Sequence, residues 1–167
     1  MNRTPLVTVG LSFYNNRSTI GTAIASVLDQ RFEDFELVVV DDGSTDGGDE
    51  VVRRFRDSRI RFVRDAANHG FVARLNQLTE LASGDYLARM DGDDICHPDR
   101  LARQVEHLER HPQVDVVATG AWVVDESDRV VGSRHQRPLA TSAAAVLGHG
   151  YLLQPSVLAR RAFSHRA

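Results

Sequence analysis

The run Leu37-Val38-Val39-Val40 is apolar throughout and passes directly into Asp41-Asp42-Gly43-Ser44. With no polar residue to turn toward solvent, such a run predicts a strand buried on both faces. Strands of that kind belong to parallel sheets, whose crossover helices cover both sides. The flanking sequence agrees, because short apolar runs alternate with segments of helical periodicity. Leu6 to Leu11 reads as a first buried strand. Ser18 or Thr19 can cap the helix after it, which places Ile20, Ala23, Ile24, Val27 and Leu28 on one face. A Gly/Ser/Asp turn then leads to a second helix with Val51, Val52 and Phe55, and Ile60 to Val63 suggests a strand nearer an edge.

Further along, Val72, Leu75, Leu78 and Leu81 mark a third helix from Phe71, ended by Ser83-Gly84. Tyr86 to Met90 is the next strand. Pro98 sits at the first turn of a helix carrying Leu101, Val105 and Leu108. Beyond it, Val114 to Val117 and Ala121 to Val124 read as strands, and Val130-Val131 completes a hairpin that turns at Glu126-Ser127-Asp128. Gly132 to Pro138 reads as a loop, Ala140 to Leu147 as a short helix and Gln154 to Leu158 as a late strand. At 167 residues the chain can form one domain with a real core, residues 1–167, whose βα-alternating half runs to about residue 112.

Two strands end in acids, at Asp41-Asp42 and at Asp91-Gly92-Asp93-Asp94. Open α/β sheets bind ligands beyond the carboxyl ends of their strands. Carboxylates gathered there repel one another unless a cation or a donor-rich ligand compensates. Asp, Gly and Ser are also the commonest turn residues, so either cluster alone could be no more than a turn. Two clusters at equivalent strand ends point to a site. Hard divalent cations take carboxylate oxygens and keep positions open for phosphate. A glycine between two acids lets the backbone come close to such a ligand.

Other functions are excluded residue by residue. The stretch from Asp42 to Gly47 resembles the start of an EF-hand loop, but the twelfth position, which needs Glu, is Arg53. His107 and His111 have the spacing of a helix-borne zinc pair, yet Leu108 stands where the motif needs Glu. They are expected on a solvated face. Cys96, the single cysteine, reads as a small packing residue and suits a reducing compartment. A net charge of -3 gives no electrostatic case for nucleic acid. Neither a signal peptide nor a membrane span is expected, so the chain reads as cytoplasmic, or peripheral to the inner face of a membrane through a partner.

The ordered segments Val7 to Asn15, Ser26 to Gln30, Phe35 to Asp46, Asn68-His69-Gly70, Ala73 to Asn76, Ser83 to Leu87 and Met90 to Asp94 resemble the family 2 glycosyltransferases. The resemblance implies the GT-A fold, a Rossmann-like αβα sandwich of the α/β class with a mostly parallel central sheet. Residues 1–112 would be its nucleotide-binding half and 113–167 the start of its acceptor half.

It also implies roles. Ser12, Phe13 and Tyr14 would lie against the nucleotide, and Asp42 would accept a hydrogen bond from the base. Arg74 would face the phosphates. Asp91, with Gly92, would lie near the ribose or sugar. Asp93 would ligate Mg²⁺ or Mn²⁺, with Asp94 in support.

Family members of this type transfer a sugar with inversion from a UDP-, GDP- or dTDP-sugar to a saccharide or lipid-linked acceptor, often in cell-surface polysaccharide synthesis. Homo-oligomers are compatible with the sequence. The family's base follows the region of Gln154 to Leu158, where a His is common at the position of Gln154. It is therefore expected beyond Ala167, with Asp125 or Glu126 as upstream substitutes. Two readings compete with the transferase. A non-catalytic module that binds a nucleotide sugar would also lack the base. A nucleotidyltransferase would carry a glycine-rich loop after the first strand, where this chain has Ser12 to Asn16.

Overall fold

The computed structural model describes residues 4–135 and 153–164. Four strands run parallel: β1 (Val7–Phe13), β2 (Phe35–Asp41), β3 (Ile60–Arg64) and β4 (Tyr86–Asp91). Helices α1 (Ile20–Leu28), α2 (Gly48–Val52) and α3 (Phe71–Leu81) connect them, and α4 (Arg100–Arg110) follows β4. Two shorter strands complete the sheet, β5 (Val116–Val117) and a last strand, β8 (Leu158–Arg160), which is antiparallel to both β4 and β5. The order across the sheet is β3-β2-β1-β4-β8-β5. Because β2 lies on one side of β1 and β4 on the other, the strand order reverses at the β1–β4 junction. Ligands bind at such a switch point in open α/β sheets.

The β-branched run is central, as its composition demands. Leu37, Val38, Val39 and Val40 are all 0% exposed. Leu37 and Val39 face a core shared with Ile20, Ile24, Val52, Leu101 and Leu108, so α1, α2 and α4 cover one side. Val38 and Val40 pack with Leu78 of α3 on the other. The result is three layers, with both faces of the central strand β2 closed by helices.

Several expectations need correction. Within α3 the inward face carries Arg74 and Leu78, while Val72 is 69% exposed. Phe55 lies beyond the end of α2, and Pro98 precedes rather than starts α4. The Gln154 to Leu158 segment is not a strand: Gln154–Ser156 is a 3₁₀ turn, and pairing begins only at Leu158. Pro155 has no N–H for a strand ladder but fits a 3₁₀ turn. The hairpin β6 (Ala121–Val124) and β7 (Val130–Arg134) forms as expected, but β7 takes in Gly132 to Arg134, which read as loop. The expected helix at Ala140 to Leu147 lies outside the described residues. Cys96 is buried, and His107 and His111 are exposed. Among the described residues no helix is long and apolar enough to cross a membrane.

Candidate functional site

An open cleft of about 560 Å³ lies at the carboxyl ends of β1, β2 and β4, and Ser12, Phe13, Tyr14, Asp42, Arg74, Asp91, Gly92 and Asp93 all line it. The pairing register explains the convergence. Ser12 is opposite Val40 on β2 and Asp91 on β4, so three strand ends meet at one level. The loops above them are stitched together. The Asn15 N–H donates to Ser44 Oγ at 2.9 Å, and Asn15 Oδ1 accepts from the Thr45 N–H at 2.9 Å.

Asp42 is 5% exposed. Its Oδ1 accepts from the His69 N–H at 2.8 Å and from Arg74 Nε at 2.6 Å, and its Oδ2 accepts from the Gly70 N–H at 3.0 Å. Burial alone would raise its pKa, but the His69, Arg74 and Gly70 donors outweigh it and hold the carboxyl below its usual range. A carboxylate offers about four lone-pair positions, so about one stays open, on Oδ2.

Arg74 lies on the same wall yet is 3% exposed. It donates to Asp42, Asp65, Gln77 and the Ala67 carbonyl, which uses four of the five N–H groups a guanidinium has. Its place in the cleft is therefore as the holder of Asp42. The expected phosphate contact would have to come from the one remaining N–H.

Phe13 is only 3% exposed and belongs to the core, where it backs the cleft, whereas Tyr14 is 47% exposed at the rim. Gly92 is required by close approach: a Cβ there would lie 2.8 Å from Phe13 Cβ. The Thr19 hydroxyl does not cap α1 but donates to the Gly92 carbonyl at 2.9 Å, tying the acid turn to the start of that helix.

Carboxylate oxygens of Asp91, Asp93 and Asp94 lie within 4.8 Å of one another. Burial pushes the Asp91 carboxyl up, and Asp93 adds to this while Arg89 opposes it. Burial also raises Asp94, helped by the charges of Asp91 and Asp93. Three converging carboxylates with too little positive charge around them fit a hard divalent cation. Asp125, one of the two upstream acids expected as substitutes for the base, accepts from Ser127 and Arg129 within the β6–β7 turn.

The sequence reading missed Arg89. It lines the cleft two residues before Asp91, to which it is paired. Residues i and i+2 of a strand share a face, so the spacing itself carried the signal. Gln154 and Pro155 form the far wall. Arg100 holds that wall by donating to the Arg89 and Val157 carbonyls, and Gln104 by donating to the Ser156 carbonyl at 2.7 Å.

The sequence model described as Glycosyl transferase family 2 matches residues 8–156. EpsE of Bacillus subtilis (strain 168), a glycosyltransferase by name, is 40% identical over 129 residues, covering 75% of this chain and 46% of EpsE. The crystal structure of S. aureus TarS 1-349 with UDP-GlcNAc superposes with a TM-score of 0.75 at 23% identity, over 96% of this chain and 46% of that one. The fold is thereby the GT-A fold. The mannosyltransferase PcManGT from Pyrobaculum calidifontis, solved with GDP-Man and Mn²⁺, gives a TM-score of 0.64 at 29% identity, over 76% of this chain and 38% of PcManGT. The chain spans less than half the length of each of these proteins.

Proposed function

The chain belongs to glycosyltransferase family 2, and on that premise we propose that its cleft binds the nucleotide-sugar donor of an inverting, metal-assisted sugar transfer. The observation that carries the reading is the Asp91-Asp93-Asp94 carboxylate trio at the switch point of the sheet, two of whose members, Asp91 and Asp93, line the same cleft as Asp42. Asp42 presents its open acceptor position to an N–H of the base, and Arg74 with the His69 and Gly70 N–H groups fixes the direction of that acceptor. Tyr14, half exposed at the rim, offers a ring face to the nucleotide. Ser12 and Asp91, paired across β1 and β4, face the ribose and sugar side.

Asp93 would hold Mg²⁺ or Mn²⁺ together with Asp91, and Asp94 would support them. The ion would neutralise the charge that develops on the departing nucleoside diphosphate. The Mn²⁺ in PcManGT supports this assignment. The acceptor in this reading is a saccharide or a lipid-linked saccharide of cell-surface polysaccharide assembly. Each cleft acid named here already has a part in donor or ion binding, so the base that takes the acceptor's proton is assigned to none of them.

Calorimetric titration with UDP, GDP and dTDP, each with and without Mn²⁺, tests the reading. One of the three should bind in a Mn²⁺-dependent way, and Asp93→Ala should abolish that dependence. Binding of none, or a dependence unchanged in Asp93→Ala, would remove the assignment.

A further inference from the structure

Among the described residues two cationic side chains line the cleft, Arg74 and Arg89. Arg74 is committed to Asp42, Asp65, Gln77 and Ala67. Arg89 is held more loosely. Its guanidinium carbon stands 4.8 Å from the centroid of the Phe71 ring, at the start of α3. One terminal nitrogen pairs with Asp91 Oδ1, and the side chain is 13% exposed. Its Nε is buried and has no hydrogen-bond partner. A buried donor left unmet is costly, so Arg89, which lines the cleft next to the acid turn, is incompletely satisfied where it stands.

We propose that Arg89 is a binding residue for the donor's diphosphate, giving up Asp91 for a phosphate oxygen when a divalent cation enters the acid turn. This rests on the donor-site reading above and goes beyond it, since that reading gives Arg89 no part. The exchange follows from charge. With the acid turn free of cation, Arg89 is the counter-charge of Asp91. An ion held by Asp93 and Asp91, with Asp94 in support, satisfies those carboxylates and repels a guanidinium close by. The guanidinium then faces an anion whose paired oxygens match its fork of donors. Phe71 keeps the guanidinium over its ring face and so limits the swing to a change of partner. No covalent bond is made or broken.

The two halves of the exchange make opposite predictions, which a merely structural role would not. The full chain and its Arg89→Met and Arg89→Lys variants are titrated with Mn²⁺ alone, and then with UDP, GDP and dTDP at saturating Mn²⁺. Arg89→Met should bind Mn²⁺ alone more tightly, because the competitor for Asp91 is gone. It should bind the diphosphate that the parent selects roughly 10- to 100-fold more weakly, the range carried by hydrogen bonds to charged groups. Arg89→Lys keeps the charge without the fork and should fall between.

Equal diphosphate affinity in a folded variant overturns the proposal, as does a parallel loss of both affinities. If circular dichroism shows Arg89→Met unfolded, the Arg89→Lys titration decides alone, and parent-like diphosphate affinity there overturns it. Should the parent bind none of the three diphosphates, the donor-site reading falls and Arg89 falls with it. Should the parent bind one and the variants match it, the donor site stands and Arg89 alone is removed.

Discussion

Asp42 Oδ1 and Arg74 Nε are 2.6 Å apart, and their side chains are only 7% and 4% exposed although both lie on the wall of an open cleft. Removing one partner of a buried ion pair leaves the other uncompensated. Arg74→Met should therefore destabilise the chain by about 3 kcal/mol, the lower end for such pairs, measured as a shift of the urea midpoint at constant slope. A change below about 0.5 kcal/mol, the scatter of ordinary surface substitutions, would mean that the His69 and Gly70 N–H groups hold Asp42 without help.

The acids of the two strand ends respond to pH in opposite directions. Asp42 has a lowered pKa, so its stabilisation is present above its unfolded value and is lost as pH falls through the folded one. Asp91 and Asp94 have raised pKa values, so their charged forms cost stability at neutral pH. That cost disappears as pH falls through the folded value toward the unfolded one. In chelator at pH 7, Asp94→Asn should be more stable than the parent by less than about 1 kcal/mol, since the carboxyl is only partly desolvated and the residue keeps enough solvent contact for its charge to be screened. The advantage should vanish near pH 4, close to the unfolded aspartate value, while Mn²⁺ affinity at pH 7 falls. A variant less stable than the parent at pH 7 would contradict the sign.

Thr19→Val keeps the shape of the side chain and deletes the hydroxyl that holds the Gly92 carbonyl. One neutral hydrogen bond is worth about 1 kcal/mol, so Mn²⁺ affinity should drop roughly fivefold if the turn must be held to bind. Unchanged affinity with a lower melting temperature would confine Thr19 to anchoring α1.

Gly43 has φ +75°, and a Cβ there would lie 2.7 Å from the Ala67 carbonyl carbon and 2.9 Å from the Asn68 nitrogen. Gly43→Ala should cost about 2 kcal/mol in stability from the left-handed backbone and the backbone clash together. The displaced loop carries the His69 and Gly70 donors of Asp42, so nucleotide affinity should fall in the same variant. Thermal melts and the nucleotide titration read both effects.

The parallel strands were legible because burial on both faces leaves a continuous apolar run, and Leu37 to Val40 carries it. The acid strand ends were legible because chemistry at a sheet edge is local in sequence. Contacts across distance were not. Nothing near Arg74 reveals that its partner is Asp42, 32 residues earlier. Val72 fitted the helical period, yet the face of α3 that turns inward is the one carrying Arg74 and Leu78. The continuation of β7 through Gly132 to Arg134 escaped notice because all its residues are exposed. A strand with no buried face gives no alternation. Gln154 to Leu158 misled because apolar and polar residues alternate there by composition while Pro155 sets the backbone.

The pairing of Ser12 with Asp91 has a consequence for how errors are prevented. Along β4, Tyr86, Ala88 and Met90 enter the core, while Arg89 and Asp91 belong to the opposite face. A slip of β4 by one residue against β1 would exchange the two faces. Asp91 and Arg89 would be driven into the layer beneath α1 and α4, and Met90 would take the place of the acid. Such a chain would carry a buried charge pair in place of apolar packing, so the mispaired form is penalised by the core itself. Any population that completes its core has therefore also set its acid turn in place, and a well-packed molecule with a scrambled cleft is not an available product of folding.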